Sequence, residues 1–176
     1  HTFALELILD SDENNSSSTL NLTVGALIES FENASFGDVN WEFYGNSEWT
    51  IDSENNYEGN FSAQSGEIDH NMTSDLSITM DVVENGFISF YKKVSCEDVG
   101  SYTGAYYDYL AFYIDDVEQN KWAGEIDWSQ STFNVSAGEH TFTWRYNKDQ
   151  GVVSGQDAVW IDNIVFPPVS SSVAAM

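Results

Sequence analysis

The segment His140-Thr-Phe-Thr-Trp-Arg-Tyr146 alternates in character along its whole length. Phe142, Trp144 and Tyr146 fall on one side of an extended chain, and Thr141, Thr143 and Arg145 on the other, because successive Cβ atoms of a strand point to opposite faces. One apolar and one polar face describe an antiparallel strand packed on a second layer. Outward from this segment, Val135-Ser-Ala-Gly-Glu139 reads as a turn before it, and Ser131-Thr-Phe-Asn-Val135 as the preceding strand. Similar short runs recur at Trp41–Phe43, Trp49–Ile51, Asn60–Ala63, Leu76–Val82, Gly86–Tyr91, Tyr109–Ile114, Lys121–Ala123 and Val159–Phe166. Turn clusters part them, and no dozen residues show the helical 3.6 period with caps. Phe166-Pro167-Pro168 ends the last run, since proline cannot continue a ladder. Phe3 to Leu9 and Leu20 to Val24 also alternate across a polar stretch, Asp10 to Ser18, and read as a hairpin. About a dozen short strands at this spacing predict an all-β protein, a β-sandwich of two antiparallel sheets.

The composition narrows the function. With 5 Lys+Arg against 29 Asp+Glu, the net charge is −24 over 176 residues. Nucleic acid is excluded as a partner, because phosphate binding needs clustered cations. An anionic membrane surface is excluded for the same reason, and no run approaches the roughly 20 apolar residues of a spanning helix. The single Cys96 forms no internal disulfide, while 6 Trp, 9 Tyr and 11 Phe supply ample core. The acidic excess attracts hard cations that prefer oxygen ligands. The opening His1-Thr-Phe-Ala-Leu5 has no basic n-region, so the chain is expected to be a piece of a longer protein.

Catalytic motifs are absent: no His-Glu-x-x-His, Gly-x-Ser-x-Gly or Walker A pattern occurs. His140 sits in the alternating strand and reads as a strand residue rather than a base. His70 has no second His or Cys at zinc-ligand spacing. Cys96, in Ser95-Cys-Glu97-Asp98, stands in an acidic setting that disfavours a thiolate. Asp115-Asp116 reads as a hairpin turn rather than a glycosidase pair. Asp10-Ser-Asp-Glu-Asn and Asp52-Ser-Glu-Asn-Asn open like EF-hand loops, yet the sixth positions are Asn15 and Tyr57 rather than Gly, and the twelfth are Asn21 and Ala63 rather than Glu.

Aromatic residues cluster at Trp41, Tyr44, Trp49 and Tyr57, and again at Tyr102, Tyr106, Tyr107 and Tyr109. Aromatic faces stack on the C–H faces of sugars. The stretch from Ser95 to Asp108 is long for a hairpin connection and contains Gly100 and Gly104, which marks it as the recognition loop. Tyr102, Tyr106, Tyr107 and Trp49 are the ligand-binding candidates. Trp144 and Trp160, among apolar neighbours, are expected in the core.

Several phrases, in order, carry a family resemblance: Ile28-Glu-Ser-Phe-Glu32, Tyr57-Glu-Gly-Asn-Phe-Ser-Ala-Gln-Ser-Gly66, Asp108-Tyr-Leu-Ala-Phe-Tyr-Ile-Asp-Asp116, Trp122-Ala-Gly-Glu125, Val135 to Trp144, Tyr146-Asn-Lys-Asp149 and Gly155 to Pro167. The set resembles the jelly-roll domains of secreted bacterial proteases and adhesins, namely the cleaved-adhesin (haemagglutinin) domains of gingipains and, more distantly, MAM domains. The resemblance implies a jelly roll over 26–168, with 1–25 as the end of a preceding module or as extra strands, and 169–176 as a tail. It further implies a structural calcium ion between the first and last strands. The matching ligands are Glu32 and Asp162, with Asn163 in place of a second Asp and Asp157 as a nearby candidate.

Together these readings predict a non-catalytic module of a secreted or cell-surface bacterial protein. Its expected partners are a glycan or a host or matrix protein, beside flanking domains of the parent chain. Two alternatives stay open: a structural spacer or processing domain beside a catalytic domain, and a glycosidase or lyase on a jelly roll.

Overall fold

The structure is a computed structural model and describes residues 3–9, 18–24, 27–37 and 39–170. In chain order the described strands are β1 (Phe3–Leu9), β2 (Ser18–Val24), β3 (Ile28–Glu29), β4 (Glu42–Gly45), β5 (Thr50–Asp52), β6 (Ser62–Gln64), β7 (Thr73–Val82), β8 (Gly86–Ser95), β9 (Tyr109–Ile114), β10 (Val117–Trp122), β11 (Glu125–Val135), β12 (Gly138–Asn147) and β13 (Ala158–Val165). One sheet runs β10-β9-β12-β7-β4. The other runs β11-β8-β13-β6-β5, with β3 also on β13. All of these ladders are antiparallel. The all-β sandwich expected from the alternation forms, with the jelly-roll architecture that the resemblance implied. β1 and β2 pair antiparallel as a separate two-stranded sheet. The Asp10–Ser17 turn, the boundary at Gly25 and the tail beyond Ser170 lie outside the described residues.

β12 is the centre of the first sheet, between β7 and β9. Its Phe142, Trp144 and Tyr146 are fully buried in the core. Phe142 and Trp144 meet Phe112 of β9, and Trp144 also meets Phe90 of β8 in the facing sheet; Trp144 lies 5.3 Å from Phe90 and 5.0 Å from Phe112, ring centre to ring centre. Such offset aromatic contacts add to the area they bury. Thr141, Thr143 and Arg145 take the outer face, as the period of two requires.

β13 departs from simple alternation. Val159, Ile161 and Ile164 join the core, so the spacing slips from two to three residues. The slip is a bulge: the ladder with β8 shifts between Asp162 and Val165, and Asn163 adopts a left-handed φ of 46°. Trp160 and Asp162 are also buried, although they alternate with the core residues. Backbone and side chains of the segment from Asp52 to Glu58 take their polar groups. The Asp115-Asp116 pair forms the expected two-residue hairpin between β9 and β10. Both residues have positive φ, 52° and 63°, the backbone that a primed turn demands.

Candidate functional site

Glu32 and Asp162 do converge, on the loop before β6. The carboxylate of Glu32 accepts the N–H groups of Asn60 (2.9 Å) and Phe61 (3.0 Å) and the Asn60 side-chain amide (3.1 Å). The Asn60 N–H, helped by the Phe61 N–H and the Asn60 amide, holds it below the usual carboxylate range against the opposing effect of desolvation. Asp162 accepts the N–H groups of Tyr57 (2.9 Å), Glu58 (3.1 Å) and Asn163 (2.6 Å). Burial pushes its carboxyl up, these three donors oppose the rise, and the charge of Glu32 adds to it. Gly59 lets the loop approach: its φ is +70°, and a Cβ there would overlap the Glu32 carboxylate. Asn163 donates its side-chain amide to Glu58 at 3.0 Å.

Asp157 stands elsewhere. Its carboxylate accepts the Tyr146 hydroxyl at 2.8 Å and pairs with the buried Lys148 ammonium. Near it is a cluster the sequence reading did not single out. One ligand oxygen from each of Glu97, Asp108 and Asp149 lies within 4.8 Å of the others, an arrangement that could hold a metal ion.

The ligand-binding candidates also separate. Trp49 is buried, and its indole N–H is used by the Ser74 carbonyl at 3.1 Å. Tyr102 is 102% exposed at the loop tip. Tyr106 lies edge-on to Tyr109 with the Lys121 ammonium 5.1 Å from its ring centre. The Tyr107 hydroxyl lies 3.5 Å from Thr103 Oγ1. Cys96 is buried, and burial pushes its thiol up to about 12. The expectation of an inert thiol therefore stands on burial more than on the neighbouring acids.

His140 ties two hairpin ends together. Its Nδ1 lies 2.6 Å from Asp115 Oδ2, and its Nε2 lies 3.2 Å from Ser136 Oγ and 3.1 Å from the Ser136 carbonyl. Serine, histidine and aspartate thus meet. However, Nε2 faces a backbone carbonyl as closely as the hydroxyl, so the arrangement clips two turns rather than activating an alcohol.

The outer face of the first sheet holds a groove of about 530 Å³. Strand register builds it in rungs. Tyr44, Asp75 and Arg145 lie side by side across β4, β7 and β12; Glu42, Ser77, Thr143 and Tyr113 lie across β4, β7, β12 and β9. Arg145 grips Asp75 through Nε (2.9 and 3.0 Å) and Nη2 (2.6 Å), a fork that fixes both side chains. The guanidinium also lies 5.3 Å from the centre of the Tyr113 ring. Ser77 and Thr143 share a hydrogen bond of 2.8 Å, as do Thr79 and Thr141. Tyr44 is exposed and donates to Glu42 at 2.9 Å. The groove thus offers two tyrosine rings around a floor of hydroxyls, carboxylates and one guanidinium. Sequence reading assigned Thr141, Thr143 and Arg145 to an outer face but not to a site; only the partners from β4, β7 and β9 make one.

No family model and no curated protein matches the sequence. Solved structures do match. The K1 cleaved adhesin domain of Lys-gingipain from Porphyromonas gingivalis W83 superposes with a TM-score of 0.59 at 14% identity, over 81% of this chain and 98% of that one. The CBM22-1 xylan-binding domain of Paenibacillus barcinonensis Xyn10C gives 0.53 at 19% identity, over 85% and 97%. The secreted serine protease VesC of Vibrio cholerae gives 0.54 at 17% identity, over 95% of this chain but 34% of its own. At these identities the likeness is one of fold, and in its fold the chain resembles the cleaved adhesin domains of Lys-gingipain.

Proposed function

We propose that this chain is a non-catalytic, extracellular or cell-surface module that binds a glycan in the groove of the β10-β9-β12-β7-β4 sheet. The observation that carries the reading is the pairing of two aromatic rings that line the groove, Tyr44 exposed and Tyr113 half-buried, with fixed polar groups. Tyr44 and Tyr113 present faces for sugar C–H groups. The Arg145–Asp75 fork and the threonine hydroxyls offer donors and acceptors whose positions are set before a ligand arrives, which reduces the ordering cost of binding. An adhesin domain and a xylan-binding domain among the structures of similar fold support this class of function. The tyrosine loop, with Tyr102 fully exposed, favours a second reading in which the partner is a host or matrix protein. We further read 1–25 as belonging to a neighbouring module. Glu32 and Asp162, facing one loop, are read as the place of a structural calcium ion, with Asn163 beside them.

A glycan array tests the leading reading, followed by calorimetry with the best hit. Tyr44→Ala and Tyr113→Ala are each expected to weaken binding about tenfold, since loss of one aromatic platform removes 1–2 kcal/mol. Tyr102→Ala leaves glycan binding unchanged. Glycan binding that survives both groove substitutions, or an array without a hit, overturns the groove; loss of a matrix-protein partner on Tyr102→Ala would support the second reading instead.

A further inference from the structure

Two connections meet at the end of the sandwich away from any strand ladder: the segment from Cys96 to Asp108, between β8 and β9, and the segment from Lys148 to Asp157, between β12 and β13. They are tied by few bonds. The Asp149 N–H donates to Asp108 Oδ1 at 2.9 Å, and the Gln156 N–H donates to Ser95 Oγ at 2.7 Å. The middle of the first segment, Val99 to Ala105, bonds mainly to itself, with Gly100 accepting from Thr103 and Gly104 and donating to Ala105.

Where the two segments touch, Glu97, Asp108 and Asp149 bring carboxylate oxygens within 4.8 Å of one another. Two oxygens bound to one Ca²⁺ at about 2.4 Å are separated by at most about 4.8 Å, so the three can serve a single ion. An acidic cluster alone would be only a crowd of solvated charges, but Asp108 is not solvated. It is 0% exposed, and while Oδ1 takes the Asp149 N–H, Oδ2 is buried with no hydrogen-bond partner among the described residues. A carboxylate oxygen left bare in the interior is costly, and buried charges are ordinarily paired or bound to metal. Lys148, the cation nearest at hand, is held by Asp157 on its own side. Counting Asp157, four carboxylates therefore share one ammonium. Burial pushes the carboxyl groups of Glu97 and Asp108 up and the charge of Asp149 adds to the rise at both, although at Asp108 the Asp149 N–H and the Lys148 charge oppose it.

We propose that Glu97, Asp108 and Asp149 bind one hard divalent cation, Ca²⁺, and that the ion staples the Cys96–Asp108 segment to the β12–β13 connection. The donor set is oxygen only, which suits Ca²⁺ over the softer transition metals. The bare Oδ2 of Asp108 gains its partner, and three like charges gain a common counter-ion. For the segment that carries Tyr102, Tyr106 and Tyr107, the ion would add a further tie to the β12–β13 connection beside the Asp149–Asp108 bond. This site is separate from Glu32 and Asp162, which already have backbone donors.

Hydrogen exchange read by mass spectrometry, on the whole chain in chelator and in millimolar Ca²⁺, tests the staple. Added Ca²⁺ is expected to slow exchange across residues 97–108 and 148–157. In Glu97→Gln/Asp149→Asn that protection is lost, or its Ca²⁺ midpoint rises about tenfold or more as ligand charge falls. Glu32→Gln keeps it, because that carboxylate is bonded to Asn60 and Phe61 and is not part of this cluster. Glu97→Gln alone repeats the test if the pair does not fold. No Ca²⁺-dependent protection of 97–108 in the wild-type chain, or the same protection and midpoint in the double variant, overturns the proposal and leaves a proton as the partner of Asp108 Oδ2.

Discussion

Trp144 and Trp160 invite the same substitution and should answer it differently. Both are buried, at 0% and 1% exposure. The indole N–H of Trp160 donates to Asp52 Oδ2 at 2.7 Å, whereas that of Trp144 is buried without an acceptor among the described residues. Changing either to Phe removes a ring of similar size. The volume lost is roughly 40 Å³, about 1 kcal/mol of cavity at ~24 cal/mol per Å³, with about 1 kcal/mol more for the apolar surface no longer buried. At Trp144 the substitution also removes an unsatisfied donor, whose burial costs about 1–3 kcal/mol. The terms nearly cancel, and Trp144→Phe should change stability by no more than about 1 kcal/mol. At Trp160 the substitution instead removes a hydrogen bond to a charged group, about 1.5–3 kcal/mol, so the total loss is about 3–5 kcal/mol. The two variants should thus differ by at least about 2 kcal/mol, or roughly 4–8 °C in Tm for a domain of this size. Urea unfolding at pH 7 measures this, with an unchanged slope confirming that the comparison is fair. The gap should also close in acid. Asp52 is partly desolvated, which raises its pKa, but the Glu54 N–H, the Asn55 amide and the Trp160 indole outweigh this and hold it low. Stability from a carboxyl so depressed is present above the ordinary carboxylate pKa near 3.9 and is lost as pH falls through the folded value. Equal losses for the two variants at pH 7 would refute the reasoning and mean that the Trp144 N–H has a partner.

Three further outcomes follow from single contacts. Gly59→Ala and Gly104→Ala both place a side chain at left-handed φ, +70° and +65°, but only the first meets an obstacle, the Glu32 carboxylate. Gly104→Ala should cost the backbone strain alone, about 1–2 kcal/mol, and Gly59→Ala clearly more; equal Tm losses would show that the loop yields. Lys92 is buried under Trp122, 4.4 Å from the ring centre, with hydroxyl and carbonyl partners from Ser129 and Ser131, and desolvation lowers its pKa to about 8. The unfolded chain keeps that proton to about pH 10.4, so the wild-type chain should gain stability relative to Lys92→Met as pH rises from about 8 to about 10; a flat difference in urea midpoints argues against it. Cys96, buried and with its thiol pushed up to about 12, should resist thiol reagents at pH 8 until the chain is unfolded, and rapid labelling of the native protein would contradict its burial.

The strands and their inward faces were legible because strand periodicity is local. Phe142, Trp144 and Tyr146 lie two residues apart, and that spacing alone assigns them to one side. The Asp115-Asp116 turn was legible for the same reason, as a short polar break between two runs. Trp160 shows the limit: its burial followed from its neighbours, but it is buried by the Asp52 loop and not in the core between the sheets. Likewise Glu32 and Asp162, matched by the resemblance, face one loop, but Asp157, taken as a nearby candidate, faces Tyr146 and Lys148 instead.

What the sequence by itself determined is therefore the all-β class, the core faces and the turns, since each depends on residues a few positions apart. Which side chains share a site was decided only by the order of strands in the sheets. Arg145 meets Asp75 across 70 residues, and Asp108 meets Asp149 across 41. Nothing in a local pattern encodes such a meeting, because it depends on β12 lying between β7 and β9 and on two loops emerging at the same end of the sandwich.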